Sequence, residues 1–308
     1  MAACGPILFD CSPSQSQDPT LRLIYRTISA LLPLFALAAC SPALVLNLVT
    51  SSNGANIHKD IAYGQGPRHK LDVYSPGDVG NAPVAVFFYG GSWQSGNKQG
   101  YRFVASALAA RGIVTIVPDY RLYPEVHYQG FLSDGAKAVR WAKDHAREYG
   151  GDPSKLFLIG HSAGAYIAAM LALDDEWLGK EGLSAGRDLK GFVGISGPYD
   201  FLPSNDREIV AIFSTAKTQA LSQPVSFADG RRPPVLLLHG TGDSIVYPKN
   251  STELAEKLRR SGTPVQLKLY PGVGHLEIIG AVGFPLRFIA PTLEDTVSFI
   301  QMHSTTAR

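Results

Sequence analysis

Residues 155–166 read Lys-Leu-Phe-Leu-Ile-Gly-His-Ser-Ala-Gly-Ala-Tyr: an apolar run, a G-x-S-x-G pentapeptide and a stretch of small residues in direct succession. A chain of this kind leaves a buried strand, reverses within a residue and enters a helix. Only glycine fits on either side of the serine, whose oxygen is left exposed above the helix N-terminus. The same chain holds a control, the pentapeptide Gly182-Leu183-Ser184-Ala185-Gly186, which follows Gly-Lys-Glu and precedes Arg-Asp. It has neither strand nor helix around it, and Ser184 reads as a surface-loop residue. The pattern gains force only from its context, and the context singles out Ser162.

The rest of the sequence supplies a fold for that turn. From residue 57 onward, short apolar runs bounded by Gly, Pro and Asp alternate with longer helical patterns, the signature of an α/β domain with a mostly parallel sheet and helices on both faces. Eight strands are expected, over 57–63, 69–74, 84–88, 113–117, 156–159, 192–196, 235–238 and 265–270. The first two read as a hairpin around Gly64-Gln65-Gly66-Pro67; the later ones are unbroken apolar runs suited to burial on both faces. Helices are expected over 100–110, 131–148, 163–173, 251–260 and 292–302, with Gly112, Gly150 and Gly262 at left-handed caps. No repeat and no interdomain linker is visible, so 57–308 reads as a single domain.

Composition narrows the chemistry. With 28 basic and 26 acidic residues, the net charge of +2 gives no excess of one sign to follow a phosphate backbone, so nucleic acid is not an expected partner. The cysteines are Cys4, Cys11 and Cys40. The domain beyond them forms no disulfide and offers no thiolate, and its histidines show no metal-ligand spacing. No metal and no cofactor is expected.

Residues Phe87-Phe88-Tyr89-Gly90-Gly91-Ser92-Trp93 end the third strand on paired glycines, which let backbone N–H groups approach a developing oxyanion. With the strand–serine–helix turn, this segment resembles the α/β-hydrolase-fold esterases, in the branch whose oxyanion loop reads His-Gly-Gly-x-Trp. The resemblance covers residues 57–302. It implies oxyanion donors at the N–H groups of Gly91, Ser92 and Ala163. Tyr89 stands where that branch has histidine, which leaves the bracing of the loop open.

In that fold the order along the chain is nucleophile, acid, histidine. After the seventh expected strand comes Gly240-Thr241-Gly242-Asp243, and after the eighth Gly272-Val273-Gly274-His275. Asp243 would orient the imidazole of His275, and His275 would take the proton of Ser162 and return it to the leaving group. Asp200, in Gly-Pro-Tyr-Asp after the sixth strand, is the competing acid; a turn residue near the pocket is its expected role. The remaining histidines, His161 and His239 among them, are not expected to act.

The reaction implied is hydrolysis of small carboxylic esters through an acyl-enzyme intermediate. The same machinery serves amides, so an arylformamidase or peptidase is an alternative. A binding protein on a disabled hydrolase fold is a second, against which three intact catalytic positions argue. Residues 201–234 carry one apolar stretch, 209–213, amid polar residues and prolines. That suits a pocket wall better than a lipase lid, so short acyl chains are expected.

The N-terminus reads separately. Arg22 and Arg26 precede a mostly apolar run over 28–39 and then Cys40, the order of a secretory signal. Leu37-Ala38-Ala39-Cys40 resembles a bacterial lipobox, which implies cleavage before Cys40, a lipid on its thiol and attachment at the cell envelope. The expected division is a signal peptide or anchor over 1–39, a tether over 40–56 and the catalytic domain over 57–308. A start at a non-Met codon would leave the first twenty or so residues untranslated. The other reading is an uncut anchor over 28–49, interrupted by Pro33, Pro42 and Asn47.

Overall fold

The computed structural model describes residues 46–47, 54–77, 80–230 and 232–305. The signal segment, Cys40 and most of the tether lie outside the described residues. Eight strands form one sheet in the order β1-β2-β4-β3-β5-β6-β7-β8. They are β1 (Asn56–Ala62), β2 (Lys70–Ser75), β3 (Ala82–Phe88), β4 (Val114–Pro118), β5 (Gly151–His161), β6 (Gly191–Ile195), β7 (Val235–Gly240) and β8 (Val265–Tyr270). Strand β2 runs antiparallel to β1 and to β4, and every pairing from β4 onward is parallel. The expected count and sense are met, with ends displaced by a residue or two. The exception is β5, which begins five residues before the expected strand because Gly151 pairs with Ala82 ahead of a register shift.

Nine α-helices are described: α1 (Arg102–Ala109), α2 (Tyr128–His145), α3 (Ala163–Leu173), α4 (Asp175–Lys180), α5 (Ala185–Asp188), α6 (Arg207–Ile212), α7 (Lys249–Arg260), α8 (His275–Gly280) and α9 (Thr292–Thr305). Helices α1 and α9 touch and cover one face of the sheet, while α2, α3 and α7 lie on the other. Two expected helices are corrected at their ends, where the chain tightens into 3-10 turns at Lys98–Tyr101 and Ala146–Tyr149. The expectation that no helix adjoins Ser184 is corrected: the one-turn α5 begins at the next residue, and Ser184 stays outside it as the N-cap, its N–H held by Asp188 at 2.9 Å.

The centre of the sheet is dry. Val84 to Phe88, Leu156 to Leu158 and Leu236 to Leu238 are fully buried, as continuous apolar runs between two helical layers must be. Helix α3 is buried on every side, which its sequence Ala-Gly-Ala-Tyr-Ile-Ala-Ala-Met-Leu-Ala-Leu permits. This fixes the helix that begins one residue after Ser162.

The tether reading is corrected where the structure describes it. Leu46 is 6% exposed and Asn47 9%. Asn47 Oδ1 accepts from the N–H of Phe103 at 2.9 Å, and its Nδ2 donates to the carbonyls of Gln99 and Gly100 at 2.9 and 3.0 Å. Tyr101, at the N-cap of α1, makes no side-chain cap bond. Asn47 therefore caps that helix from a distant part of the chain, satisfying a donor the helix cannot satisfy itself.

Candidate active site

The parallel strands bring their C-terminal ends to one edge of the sheet, and the site is built there from four loops. At the end of β5 the backbone of Ser162 takes φ 54°, ψ −124°, with its N–H on the carbonyl of Ile195 at 2.9 Å. A Cβ on Gly160 would overlap the main chain of Gly164, and one on Gly164 would overlap the carbonyl of Phe88. The glycines flanking the serine are thus required by close approach of backbone to backbone. They allow the reversal that holds a serine in a conformation L-residues seldom adopt.

His275 opens α8. Its Nε2 lies 2.8 Å from Ser162 Oγ, and its Nδ1 lies 2.7 Å from Asp243 Oδ2. The two loops carrying the acid and the imidazole are joined by their own bonds: Thr241 N–H to the Tyr270 carbonyl, Gly242 N–H to the Val273 carbonyl and Gly272 N–H to Thr241 Oγ1, all within 3.0 Å. The structure thus brings together Ser162, Asp243 and His275. Asp200 is held elsewhere, its N–H on Asn250 Oδ1 at 2.9 Å, as a turn residue.

Asp243 is buried, which alone would raise its pKa. The His239 ring beside it, with hydrogen bonds from His275 and the Val246 N–H, outweighs burial and holds the carboxyl well below the usual range. Its Oδ1 accepts the N–H groups of Ile245 and Val246 at 3.0 and 2.9 Å, leaving Oδ2 for His275. An acceptor saturated in this way stays ionised and fixes the imidazole with its Nδ1 proton toward the carboxylate and Nε2 toward the serine.

Two histidines set aside in the sequence belong to the site as supports. His161 is fully buried and donates from Nε2 to the carbonyl of His275 at 3.1 Å; burial, then repulsion from His275, lowers its pKa to about 3. His239 pairs through Nδ1 with Ser251 Oγ at 2.7 Å. Its Nε2 lies 2.8 Å from the Val246 carbonyl and 3.4 Å from Asp243 Oδ2, so the carbonyl is its nearer partner. Both ends of the acid–imidazole pair are held by buried rings.

The glycine loop lies against the serine. A Cβ on Gly90 would meet the Cβ of Ser162 at 3.0 Å. Gly91 takes φ 137°, and a Cβ there would strike the carbonyl of Ser95. Ser92 and Trp93 follow at φ 52° and 60°, a tight turn closed by the N–H groups of Gln94 and Ser95 on the Gly91 carbonyl at 3.0 Å. Among the described residues, no backbone carbonyl takes the N–H groups of Gly91, Ser92 or Ala163.

The brace that replaces the histidine of the resembled loop is a network around Tyr89. Tyr89 donates to Asp119 Oδ1 at 2.8 Å and accepts from Arg68 at 2.8 Å. Asp119 Oδ1 also accepts the N–H of Lys98 at 2.8 Å, and Arg68 reaches the carbonyl of Gly96 at 3.0 Å. Tyr120 donates to the carbonyl of Tyr89 at 2.7 Å. The loop is therefore anchored at Tyr89, Gly96 and Lys98, on both sides of the turn.

Beside this loop Trp93 packs among Tyr166, Phe201 and Phe213, with ring centroids at 5.3, 5.7 and 5.0 Å. Trp93 follows Ser92, and Tyr166 lies one turn after Ser162. Phe201 and Phe213 come from the segment between β6 and β7, so that segment forms a wall against the site. Among the described residues, no cluster of His, Cys, Asp and Glu could hold a metal ion, and no helix is long and apolar enough to cross a membrane.

This geometry agrees with comparisons to known proteins. An Arabidopsis thaliana isoprenylcysteine α-carbonyl methylesterase is 28% identical, over 72% of this chain and 57% of its own length. Esterase LipC of Mycobacterium tuberculosis is also 28% identical, over 70% and 58%. The chain spans between half and two thirds of the length of the first curated relatives it matches. A crystal structure of esterase B from Lactobacillus rhamnosis, inhibited by a tributyrin phosphonate, superposes with a TM-score of 0.75 at 20% identity. That match covers 93% of this chain and 96% of that one. The fold is that of the α/β-hydrolases. The BD-FAE family matches residues 71–258, more than half of the chain, which spans the glycine loop, Ser162 and Asp243, and the protein belongs to that family.

Proposed function

We propose that the protein is a serine carboxylic ester hydrolase acting on short-acyl esters. The observation that carries this reading is the hydrogen-bonded chain from Ser162 Oγ through His275 to Asp243, with spans of 2.8 and 2.7 Å. Ser162 Oγ attacks the carbonyl carbon as its proton passes to His275 Nε2. The oxyanion that forms rests on the N–H groups of Gly91, Ser92 and Ala163. Collapse breaks the ester bond, and the alcohol leaves with the proton from His275. Water then attacks the acyl carbon, gives a proton to His275, and the acid departs as Ser162 recovers its own. Asp243 remains a carboxylate throughout and stabilises the imidazolium in each half-reaction. The names of the relatives support an ester over an amide substrate. The aromatic wall of Trp93, Phe201 and Phe213 supports short acyl chains, since added methylenes find no open apolar surface to bury against.

The test is labelling by a fluorophosphonate together with hydrolysis of p-nitrophenyl esters of rising chain length, beside aryl formamides. Ser162→Ala abolishes both signals and Ser184→Ala leaves both near wild type. Persistent labelling of the Ser162 variant, or faster turnover of formamides than of esters, overturns the reading. We also propose that residues 1–39 direct export and that Cys40 is acylated, placing the enzyme at the bacterial cell envelope. Support comes from Arg22 and Arg26, the apolar run over 28–39 and Leu37-Ala38-Ala39-Cys40. Cys40→Ala then abolishes the lipid and shifts the protein out of the membrane fraction.

A further inference from the structure

The segment after His275 exposes apolar side chains where the N-terminal chain enters the domain. Leu276 is 58% exposed, Phe284 61% and Phe288 84%. Ile245 and Tyr247 are also exposed, on the loop that carries Asp243. Single exposed apolar residues are ordinary, but two of these lie on the loop that carries Asp243, and the other three lie within thirteen residues after its hydrogen-bonded partner His275. Leu46 packs into the same segment, its Cδ atoms 3.4 Å from a Cβ placed on Gly283 and 3.9 Å from one placed on Gly280. The chain therefore enters the domain beside Phe284. Upstream, six residue steps separate Leu46 from Cys40. Fully extended they reach about 20 Å, against about 45 Å for the width of a domain of this size.

We propose that the face formed by Leu276, Phe284 and Phe288 docks on a lipid surface. This rests on the reading that Cys40 and the residues before it hold the protein at a membrane. A tether that short keeps the entry point, and Phe284 with it, close to the bilayer. The diacylglycerol on Cys40 holds the chain at the bilayer, and the apolar face of the domain adds a second contact that fixes its orientation. Phe284 and Phe288 supply apolar surface for the boundary between headgroups and acyl chains, and the half-buried Arg287 between them supplies a positive charge for lipid phosphates. The docked domain presents the His275 side of the site to the bilayer. Its substrates are then esters partitioned into that surface, reached without a mobile lid.

The test uses the full chain reconstituted in vesicles of dibromostearoyl phosphatidylcholine with phosphatidylglycerol. Phe288→Trp adds an indole to the three native ones, Trp93, Trp141 and Trp177. Ser154→Trp places the same probe at the opposite end of β5 from Ser162, and thermal unfolding checks that both variants fold. The expected result is that the emission added at position 288 shifts to the blue and falls at least twofold in brominated vesicles, while that at 154 does neither. Unchanged emission at 288, or failure to float with the vesicles, overturns the proposal. A blue shift without quenching also overturns it, because the face is then covered by protein, whether a second copy or this chain's own N-terminal segment. Mass spectrometry of Cys40 tests the anchor separately: quenching without acylation removes the anchor reading and leaves the lipid face standing. Quenching without ester hydrolysis removes only the reading of the reaction.

Discussion

His161 donates from Nε2 to the main-chain carbonyl of His275 across 3.1 Å, so the residue just before the serine holds the backbone of the histidine that faces it. The arrangement makes the spacing between nucleophile and base independent of the length of chain between them.

His161 also makes stability depend on pH. Burial, then repulsion from His275, lowers its pKa to about 3, whereas an unfolded histidine titrates near 6.5. Below about pH 6.5 the unfolded chain takes up a proton that the folded chain refuses until about pH 3. Stability from this group is therefore complete above the unfolded value and falls as pH drops through that window, with a slope of up to about 1.4 kcal/mol per pH unit. His161→Gln keeps a donor for the carbonyl and removes the titration. Thermal unfolding midpoints measured from pH 7 to 4 are expected to fall less steeply for the variant than for the wild type; equal slopes would assign the effect to another group.

Asp243→Asn is expected to lower kcat by roughly 10³ to 10⁴, because an amide in place of the carboxylate no longer orients or stabilises the imidazole. Asp200→Asn, which leaves the bond from its N–H to Asn250 intact, stays near wild type. Steady-state rates on p-nitrophenyl butyrate check both, and the reverse result would move the acid to the end of β6.

Tyr89→Phe removes the hydroxyl that joins Arg68 to Asp119. Complete loss of one oxyanion donor costs about 10² to 10³ in rate. A loop that is displaced and still present is expected to lose less, about tenfold in kcat, with KM nearly unchanged. Tyr89→His, which restores a polar ring at that place, recovers part of the loss. A change confined to thermal stability would make the network a fold element only.

Phe213→Ala opens the wall on which Trp93 and Tyr166 pack. Wild type is expected to prefer acetyl to butyryl esters and to lose activity beyond about eight carbons. In the variant the ratio of kcat/KM for octanoyl over butyryl esters rises about tenfold, the effect of burying about two of the four extra methylenes at about 0.8 kcal/mol each. An unchanged ratio would place the acyl group away from this wall.

The parts of the site that the sequence discloses are those whose chemistry and local spacing coincide. Ser162 sits between two glycines that the backbone requires, and Asp243 and His275 each follow an apolar run by a few residues. The supports are hidden because their partners are remote along the chain: His161 meets His275 across 114 positions and Tyr89 meets Asp119 across 30. A buried histidine and a solvated one look alike in sequence. The same reason hides the role of Asn47, whose partners lie 52 to 56 positions away. Within the fold, strand count and parallel sense follow from apolar runs, whereas the 3-10 turns at Lys98–Tyr101 and Ala146–Tyr149 have no pattern of their own.

The cap that Asn47 places on α1 sets where a shortened gene can begin. Trimming to the first strand at Asn56 would leave the amide of Phe103 and the carbonyls of Gln99 and Gly100 without their partner and uncover the groove at Gly280 and Gly283, five and eight residues beyond His275. A fusion joined ahead of Leu46 keeps that plug in place. One joined at the first residue of the family match, Leu71, would also discard Asp60, the exposed partner of the buried Lys98 ammonium, at 2.7 Å.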